Sequence, residues 1–540
     1  MAVSRLAARC GLIINAMYLR AGLFSLALLL VSRLLGLARE SALAAAFGAS
    51  GMGDAVIVMF TLPDLLVGVL VSGALAYVLL PGWAAQAGKP HGGQSSRLTL
   101  LLALAGLAVG GLVWAFRQAV VAALAPGLSS NLAGLAAASL AYSAAVLPLA
   151  MVAALWATRL QHERDFVGMY AANLVVNLIL VTGLLAVGGG LWAFRVNSLN
   201  VIHALGGCLV LAMVCRLLWL GWRLRKASAL PDAPPKLPPQ APQEALPKGE
   251  LSLLSVSPSQ LSSALPPARL WLWAALSSAL VLLLPLVARS LVSQSGEGAL
   301  ASFNYAWKLI ELPLLLAIQL VATIAFPAIA AAPADSPERQ RALAIAFALA
   351  WTLACAAVAV VAVFSRPLAD LLFGWGSMSP AAISVIAYWS AIGVWSLLPQ
   401  ALIAVLLTAM ATTQRMRVAV FAYGAAVAAL LAFGLAIPAQ GEVVMWAVNL
   451  TLGAVALSLL VTERRTVRGA LPFGALAGPL AVCVLLVLLK PLWLGSSLSL
   501  ATIVAVVFGA LVLAVGVLCS PVLRKFALQK SRRNGEAAST

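Results

Sequence analysis

Charged side chains stand inside long apolar runs of this chain, where they could bind an oppositely charged ligand away from bulk water. The first group consists of Arg33, Arg39, Glu40, Asp54 and Asp64. Such residues cost about 2.5–3.5 kcal/mol near the centre of a membrane span, and they usually face a cavity or a partner. Arg33 lies about mid-helix, which favours a cavity-facing role. Glu40 and Asp54 lie near predicted helix ends, where snorkelling or capping is the alternative.

The second group, Asn304, Lys308 and Glu311, has the spacing i, i+4, i+7 and therefore lies on one stripe of a helix. In one interpretation Lys308 and Glu311 neutralise each other and pack against a neighbouring helix. In the other, Lys308 faces an anionic ligand and Glu311 positions it. The stripe alone favours neither. Arg289 is a weaker candidate because its stem could reach the membrane interface.

Proline and glycine interrupt two of the charged runs, at Pro63, Gly68, Gly73 and Pro313. A proline inside a helix removes a backbone hydrogen bond, so kinks are expected at these positions. We predict that these four residues act as hinges, although kinked helices also occur in static bundles.

The composition explains why these charges are unusual. The chain has 540 residues, of which 63% are apolar and 9% charged, whereas soluble domains are about 45–50% apolar and about 25% charged. The chain is therefore predicted to be an all-α integral membrane protein. Fourteen apolar windows are long enough to cross a bilayer: 22–46, 54–81, 98–125, 133–158, 166–188, 198–220, 270–294, 299–331, 342–365, 380–410, 418–437, 442–461, 470–489 and 498–522.

The 34 Lys and Arg residues exceed the 16 Asp and Glu residues, and the net charge is +18. Most of the positive residues fall in loops that are cytoplasmic if the N-terminus is cytoplasmic. Only Arg195, Arg366 and Lys490 fall in the opposite loops. By the positive-inside rule, both termini are predicted to be cytoplasmic. The excess charge thus reports topology, and no nucleic-acid partner is predicted.

Motifs of catalysis are missing from the sequence. The 6 cysteines and 3 histidines lack metal-ligand spacing, and there is no HExxH, GxSxG or Walker sequence. We therefore predict neither an enzyme nor a metal or cofactor site.

A Pro-rich segment at 224–269 separates six apolar windows from eight and is predicted to be a cytoplasmic linker. The predicted domains are an N-terminal lobe (1–223), this linker, a C-terminal lobe (270–465), two further helices (466–523) and a basic tail (524–540). The tail could meet the anionic inner leaflet, although a positive-inside tail without a partner is the simpler interpretation.

Three stretches make the sequence recognisable. Residues 32–40 read SRLLGLARE, residues 60–65 read FTLPDL and residues 305–313 read YAWKLIELP. They resemble the MurJ/MviN family of lipid II flippases. The resemblance implies a multidrug/oligosaccharidyl-lipid/polysaccharide exporter fold. In that fold two six-helix lobes enclose a cationic cavity, and two C-terminal helices form a lipid-facing groove.

The resemblance also implies a function. Members of this family carry an undecaprenyl-diphosphate-linked sugar from the inner to the outer leaflet of the bacterial inner membrane by alternating access. The sequence leaves open whether a coupling ion or the membrane potential drives the transport. Arg33, Arg39, Asp54 and Lys308 occupy positions where the family carries functional charges. Lys308 replaces the usual Arg, which keeps the charge but loses the bidentate fork that suits a diphosphate.

The sequence departs from the family after Asp64. The family usually has one or two arginines there and a Glu several residues on, but this chain has Val67, Gly68 and Ser72. This difference favours a lipid-linked glycan other than lipid II, such as an exopolysaccharide repeat unit.

Two other functions are compatible with a polytopic membrane protein. A cation-coupled multidrug exporter needs carboxylates for protons or sodium, whereas the intramembrane charges here are more often basic. A non-transporting scaffold for envelope assembly has no reason to retain charges in the membrane.

Overall fold

The computed structural model describes most, but not all, of the chain. The described residues are 27–70, 75, 78–80, 83, 92–163, 165–189, 197–228, 268–325, 328–329, 332–333, 336–412, 415–437, 440–467, 469–471, 473–490 and 498–525. Most of the predicted linker and nearly all of the basic tail lie outside them. So do the predicted hinge residue Gly73 and its neighbour Ser72, one of the positions where the sequence departs from the family.

The described residues form helices, and none of them is in a β-strand. The main helices, numbered in chain order, are α1 (27–47), α2 (Gly51–Val69), α3 (Gly92–Ala115), α4 (Arg117–Leu124), α5 (Ser130–His162), α6 (Phe166–Gly188), α7 (Ser198–Ser228), α8 (Ala268–Val292), α9 (Ala299–Ile324), α10 (Pro337–Phe373), α11 (Pro380–Gly393), α12 (Leu397–Thr412), α13 (Met416–Ala436), α14 (Gly441–Thr462), α15 (Phe473–Leu488) and α16 (Leu498–Cys519).

Eleven helical segments in the described part are long and apolar enough to cross a membrane. Helices also occupy the other predicted windows, but α1, α9 and α15 are not among the eleven. The number of fourteen crossings thus stays a prediction, while the all-helical, multi-pass class is confirmed. Large apolar side chains on the helix surfaces, such as Leu435 at 91% and Leu450 at 72% exposure, fit a lipid environment.

Local sequence determines where several helices begin. The Ser336 side chain accepts a hydrogen bond from the Arg339 N–H (3.2 Å) at the start of α10. The Ser379 side chain accepts one from the Ala382 N–H (3.2 Å) at the start of α11. In both cases proline follows the serine, and its fixed φ suits the first helical position.

The chain forms two compact units, which do not follow contiguous segments. The first unit comprises Met1–Leu43, Val58–Val120 and Gly134–Ala279. Within it, α6 packs along α7, and a buried apolar cluster includes Leu75 and Leu155. This unit holds most of α1 and α2, with the charges Arg33, Arg39 and Asp64.

The second unit comprises Ala44–Ile57, Val121–Ala133 and Leu280–Thr540. Helix α10 is its central element and packs against α9, α11, α12, α15 and α16. Two short segments from the N-terminal half therefore belong with the C-terminal helices. The predicted contiguous lobes, 1–223 and 270–465, stay predictions.

Close contacts join four loops at one end of the second unit. The Ser377 N–H donates to the Ala45 carbonyl (2.8 Å), and the Gly127 N–H donates to the Ser293 hydroxyl (3.2 Å). Gly298 has a φ of 79°, and a Cβ there would overlap the Ala49 carbonyl. The loops between α1 and α2, α4 and α5, α8 and α9, and α10 and α11 thus meet, as expected of loops on one side of a membrane. Which side this is stays a prediction.

Three of the four predicted hinge residues are described, and each lies within a continuous helix. Pro63 lies inside α2 and Pro313 inside α9, and both helices extend beyond the proline on either side. Gly68 is the last residue but one of α2. Their role as hinges stays a prediction.

Candidate functional site

Arg39 is the centre of a buried ion-pair network in the first unit. One nitrogen, Nη2, donates to Glu40 Oε1 and to Asp64 Oδ2, and both distances are 2.8 Å. The Arg39 and Glu40 side chains are 12% and 6% exposed, whereas Asp64 is 52% exposed. The network joins α1 to α2, because Asp64 is 25 residues further along the chain.

The surroundings of Arg39 keep its charge away from bulk water. Its guanidinium carbon lies 5.5 Å from the centroid of the Phe60 ring, a cation–π arrangement. Its Nε is buried and has no hydrogen-bond acceptor among the described residues. A buried donor of this kind needs an explanation, because nearly all buried polar groups are paired in native structures.

Arg33 lies elsewhere on α1. It is exposed and within electrostatic range of Tyr170 on α6. The ion pairs formed by described residues do not include it. The structure thus brings Arg39, Glu40 and Asp64 together and leaves Arg33 outside their network.

The predicted stripe on α9 is present in the second unit. Lys308 Nζ donates to Glu311 Oε2 at 2.7 Å, and the two side chains are 31% and 33% exposed. One turn earlier on α9, Asn304 Oδ1 accepts a hydrogen bond from Arg289 Nη1 of α8 (3.2 Å). Both interpretations of the stripe keep support, since Lys308 and Glu311 pair and still remain accessible.

Asp54 is almost fully buried, at 1% exposure, in the second unit. Its Oδ2 accepts a hydrogen bond from the Gly298 N–H and its Oδ1 one from the Ala301 N–H, both at 2.7 Å. These donors are at the N-terminal end of α9, where a carboxylate also interacts favourably with the helix dipole. Asp54 of α2 therefore caps α9. Its predicted contact with substrate stays a prediction.

Arg216 is a buried charge for which sequence patterns predicted no role. It lies on α7 in the first unit, is 4% exposed and is within electrostatic range of Asp64. An arginine in the interior of an apolar run was the signal available from sequence. Its spacing linked it to no other charge, because its neighbour Asp64 is on a different helix.

The described residues contain no group of three or more His, Cys, Asp or Glu side chains that could hold a metal ion. Arginine and lysine side chains hold anions by charge-assisted hydrogen bonds, and carboxylates keep those cations in place.

Comparison with known proteins places the chain in a family. Residues 43–515 match the sequence model described as lipid II flippase MurJ. The lipid II flippase MurJ of Burkholderia cenocepacia is 25% identical over 380 residues, which are 66% of this chain. The match spans 66% of that relative's length, slightly less than two thirds. A probable lipid II flippase MurJ of Rickettsia prowazekii is 30% identical over 111 residues, or 20% of this chain and 22% of the relative.

Solved structures show a similar fold. A lipid II flippase MurJ in an inward closed conformation superposes with a TM-score of 0.71 at 14% identity, over 94% of this chain and 100% of that one. An inward-facing multidrug resistance MATE family transporter of the MOP superfamily gives 0.58 at 13% identity, over 81% and 95%. At these identities the likeness concerns the fold alone. Because the family model covers most of the sequence, the chain belongs to the MurJ family.

Proposed function

We propose that this protein is a flippase that moves a polyprenyl-diphosphate-linked glycan from the inner to the outer leaflet of the bacterial inner membrane. It would do so by alternating access, with both termini in the cytoplasm. Membrane lipids surround it, and a coupling ion or the membrane potential drives the cycle. No chemical bond is made or broken, so the protein is a transporter and not an enzyme.

The observation that carries this proposal is the family match over residues 43–515. The charges explain how such a protein could work. A diphosphate must leave water while its head group crosses the membrane, and fixed cations stabilise it there. Arg39 provides such a cation within an apolar helix, and Lys308 provides a second that remains partly accessible.

We assign substrate binding to Arg33, Arg39 and Lys308, each acting on the anionic head group. Glu40 and Asp64 hold Arg39, and Glu311 holds Lys308, as their ion pairs indicate. Asn304 and Arg289 support α9 through their hydrogen bond. Asp54 supports the substrate-binding residues indirectly, because its carboxylate caps α9, the helix that carries Lys308. Direct contact between Asp54 and substrate is the alternative.

The substrate class is narrower than the family name suggests. Val67 and Gly68 follow Asp64 by three and four residues and so lie one turn from it on α2, a surface that carries no basic side chain at these positions. These two positions therefore donate no charge-assisted hydrogen bonds to an anionic head group. We therefore propose an exopolysaccharide repeat unit as the cargo ahead of lipid II.

Rescue of a conditional lipid II flippase depletion strain tests this proposal. The unmodified protein should rescue growth poorly, whereas deletion of its gene should reduce a secreted or capsular polysaccharide. Full rescue by the unmodified protein would instead make lipid II the cargo. Normal polysaccharide after deletion, together with failed rescue, would contradict the flippase proposal.

A multidrug exporter is the second candidate, because MATE transporters have a similar fold. The same strains distinguish the two functions. A drug exporter should raise resistance to lipophilic cations when overproduced, whereas a diphosphate flippase with cationic binding residues should leave that resistance unchanged.

A further inference from the structure

Arg216 lies deep inside an apolar helix. It is ten residues before Lys226, the last residue of the span Ser198–Lys226, and thus about 15 Å from that end at 1.5 Å per residue. Only 4% of its surface is exposed. A charge held at such a depth usually faces a functional partner.

The surroundings of Arg216 do not fully satisfy it. Its Nε is buried and has no hydrogen-bond partner within the described part of the chain. The Asp64 carboxylate of α2 lies within electrostatic range of the Arg216 guanidinium group on α7 and accepts a 2.8 Å hydrogen bond from the Arg39 guanidinium group on α1.

The Asp64 carboxylate is the most accessible member of this group. Asp64 is 52% exposed, whereas Arg39 is 12% exposed and Glu40 6%. Arg39 keeps Glu40 as a partner if Asp64 moves away. In the part of the chain that the structure describes, Asp64 is the one carboxylate within electrostatic range of Arg216. An anion that displaced Asp64 would therefore meet two guanidinium groups, each with an unused Nε donor.

We propose that Arg216 is a further substrate-binding residue, which pairs with Arg39 to hold the diphosphate of the lipid-linked cargo. Asp64 is the counter-ion of both arginines before substrate binds, and the diphosphate replaces it. Two planar guanidinium groups suit the two phosphoryl groups of a diphosphate, since each can donate two parallel hydrogen bonds. This inference rests on the proposed flippase function and names the residues that recognise its cargo.

Binding of farnesyl diphosphate and farnesyl monophosphate to the full-length protein in detergent tests the pairing. In the wild type the diphosphate should bind more tightly than the monophosphate. Arg216→Leu should weaken diphosphate binding by about tenfold or more and monophosphate binding less. Asp64→Asn should do the opposite and tighten diphosphate binding, because it removes the competing carboxylate. A structural role for Arg216 predicts no such change in the preference.

Two further variants keep the test independent of folding. Arg216→Lys preserves the positive charge but removes the planar guanidinium group that can donate two parallel hydrogen bonds. This variant should therefore reduce the preference for diphosphate over monophosphate while the protein stays folded. The double variant Arg216→Leu, Gly68→Arg removes the guanidinium group from α7 and places another on α2, one helical turn after Asp64. This variant should recover part of the diphosphate binding that Arg216→Leu loses.

The outcomes separate this inference from the proposed function. Unchanged diphosphate preference in both Arg216→Lys and Asp64→Asn would refute the role of Arg216, even if the wild type moves lipid-linked glycans. A wild type that moves no lipid-linked glycan would refute the proposed function, whatever the binding data show.

Discussion

The two charge clusters of this protein are built in different ways. The Arg39 network of the first unit joins two helices and is largely buried, with Arg39 12% and Glu40 6% exposed. The Lys308–Glu311 pair of the second unit is local to α9, and about a third of each side chain is exposed. Tertiary structure thus fixes the first cation, whereas the ion pair of the second follows the spacing of one helix.

This difference determines what each cluster can contribute. Removing one partner of a buried pair costs about 3–5 kcal/mol, because the other charge stays buried. A fully exposed pair contributes only about 0–1 kcal/mol to stability, and the partly exposed Lys308–Glu311 pair lies closer to this limit than the Arg39–Glu40 pair does. We therefore expect variants of the Arg39 network to affect both folding and transport, and variants of the Lys308 pair to affect transport alone.

The largest effect is expected for Arg39→Ala, which removes the ion-pair partner of Glu40 and one substrate cation. Transport should be lost, and the temperature of unfolding in detergent should fall. The matched control is Arg39→Gln with Glu40→Gln, which removes both charges at once. This double variant should recover most of the stability and none of the transport. If it transports normally, Arg39 is only structural.

Asp54→Ala should come next, and its effect should be on stability. The change leaves the Gly298 and Ala301 N–H donors buried without an acceptor, at about 1–3 kcal/mol for each. We expect a lower unfolding temperature and lower membrane abundance. A variant as stable as the wild type that nevertheless fails to transport would favour direct contact between Asp54 and substrate.

Lys308→Ala should reduce transport by about 10–100-fold, the loss expected for one hydrogen bond to a charged group of about 1.5–3 kcal/mol. Its unfolding temperature should stay close to that of the wild type, because the pair is partly exposed. Lys308→Arg is the matched control and should retain or improve transport. A large fall in unfolding temperature for Lys308→Ala would break the contrast with Arg39.

The smallest effect is expected for Val67→Arg, which adds a cation one turn from Asp64. It should shift the cargo preference toward lipid II, seen as better growth of the depletion strain than with the unmodified protein. Val67→Gln serves as the uncharged control. Equal rescue by both variants would show that the charge at this position does not select the cargo.

Sequence patterns predicted the local features well. Apolar windows of bilayer length predicted helices because a spanning segment must satisfy its own backbone hydrogen bonds. Helical spacing placed Lys308 and Glu311 on one stripe, and one of its two interpretations was an ion pair, which the structure forms at 2.7 Å. The family resemblance, which rests on short motifs around Arg39 and Lys308, is confirmed by the match over residues 43–515.

Features that depend on tertiary packing could not be predicted in this way. Nothing in the spacing of Asp54 indicates that its carboxylate caps a helix more than 240 residues further along the chain, with sequence separations of 244 and 247 to its two donors. Arg216 likewise acquires its neighbour Asp64 only when α7 packs in the first unit. Assignment of such residues needs the distances between helices, which the period of a single helix does not contain.

Translocation in reconstituted vesicles tests the central claim most directly. Vesicles would contain an undecaprenyl-diphosphate-linked glycan in both leaflets, and an added glycan-modifying enzyme would report the fraction that reaches the outer leaflet over time. The wild type should move the lipid well above the rate of protein-free vesicles. The folded Arg39→Gln, Glu40→Gln variant should match protein-free vesicles. Equal rates for this variant and the wild type would contradict the claim that buried cations carry the diphosphate across the membrane.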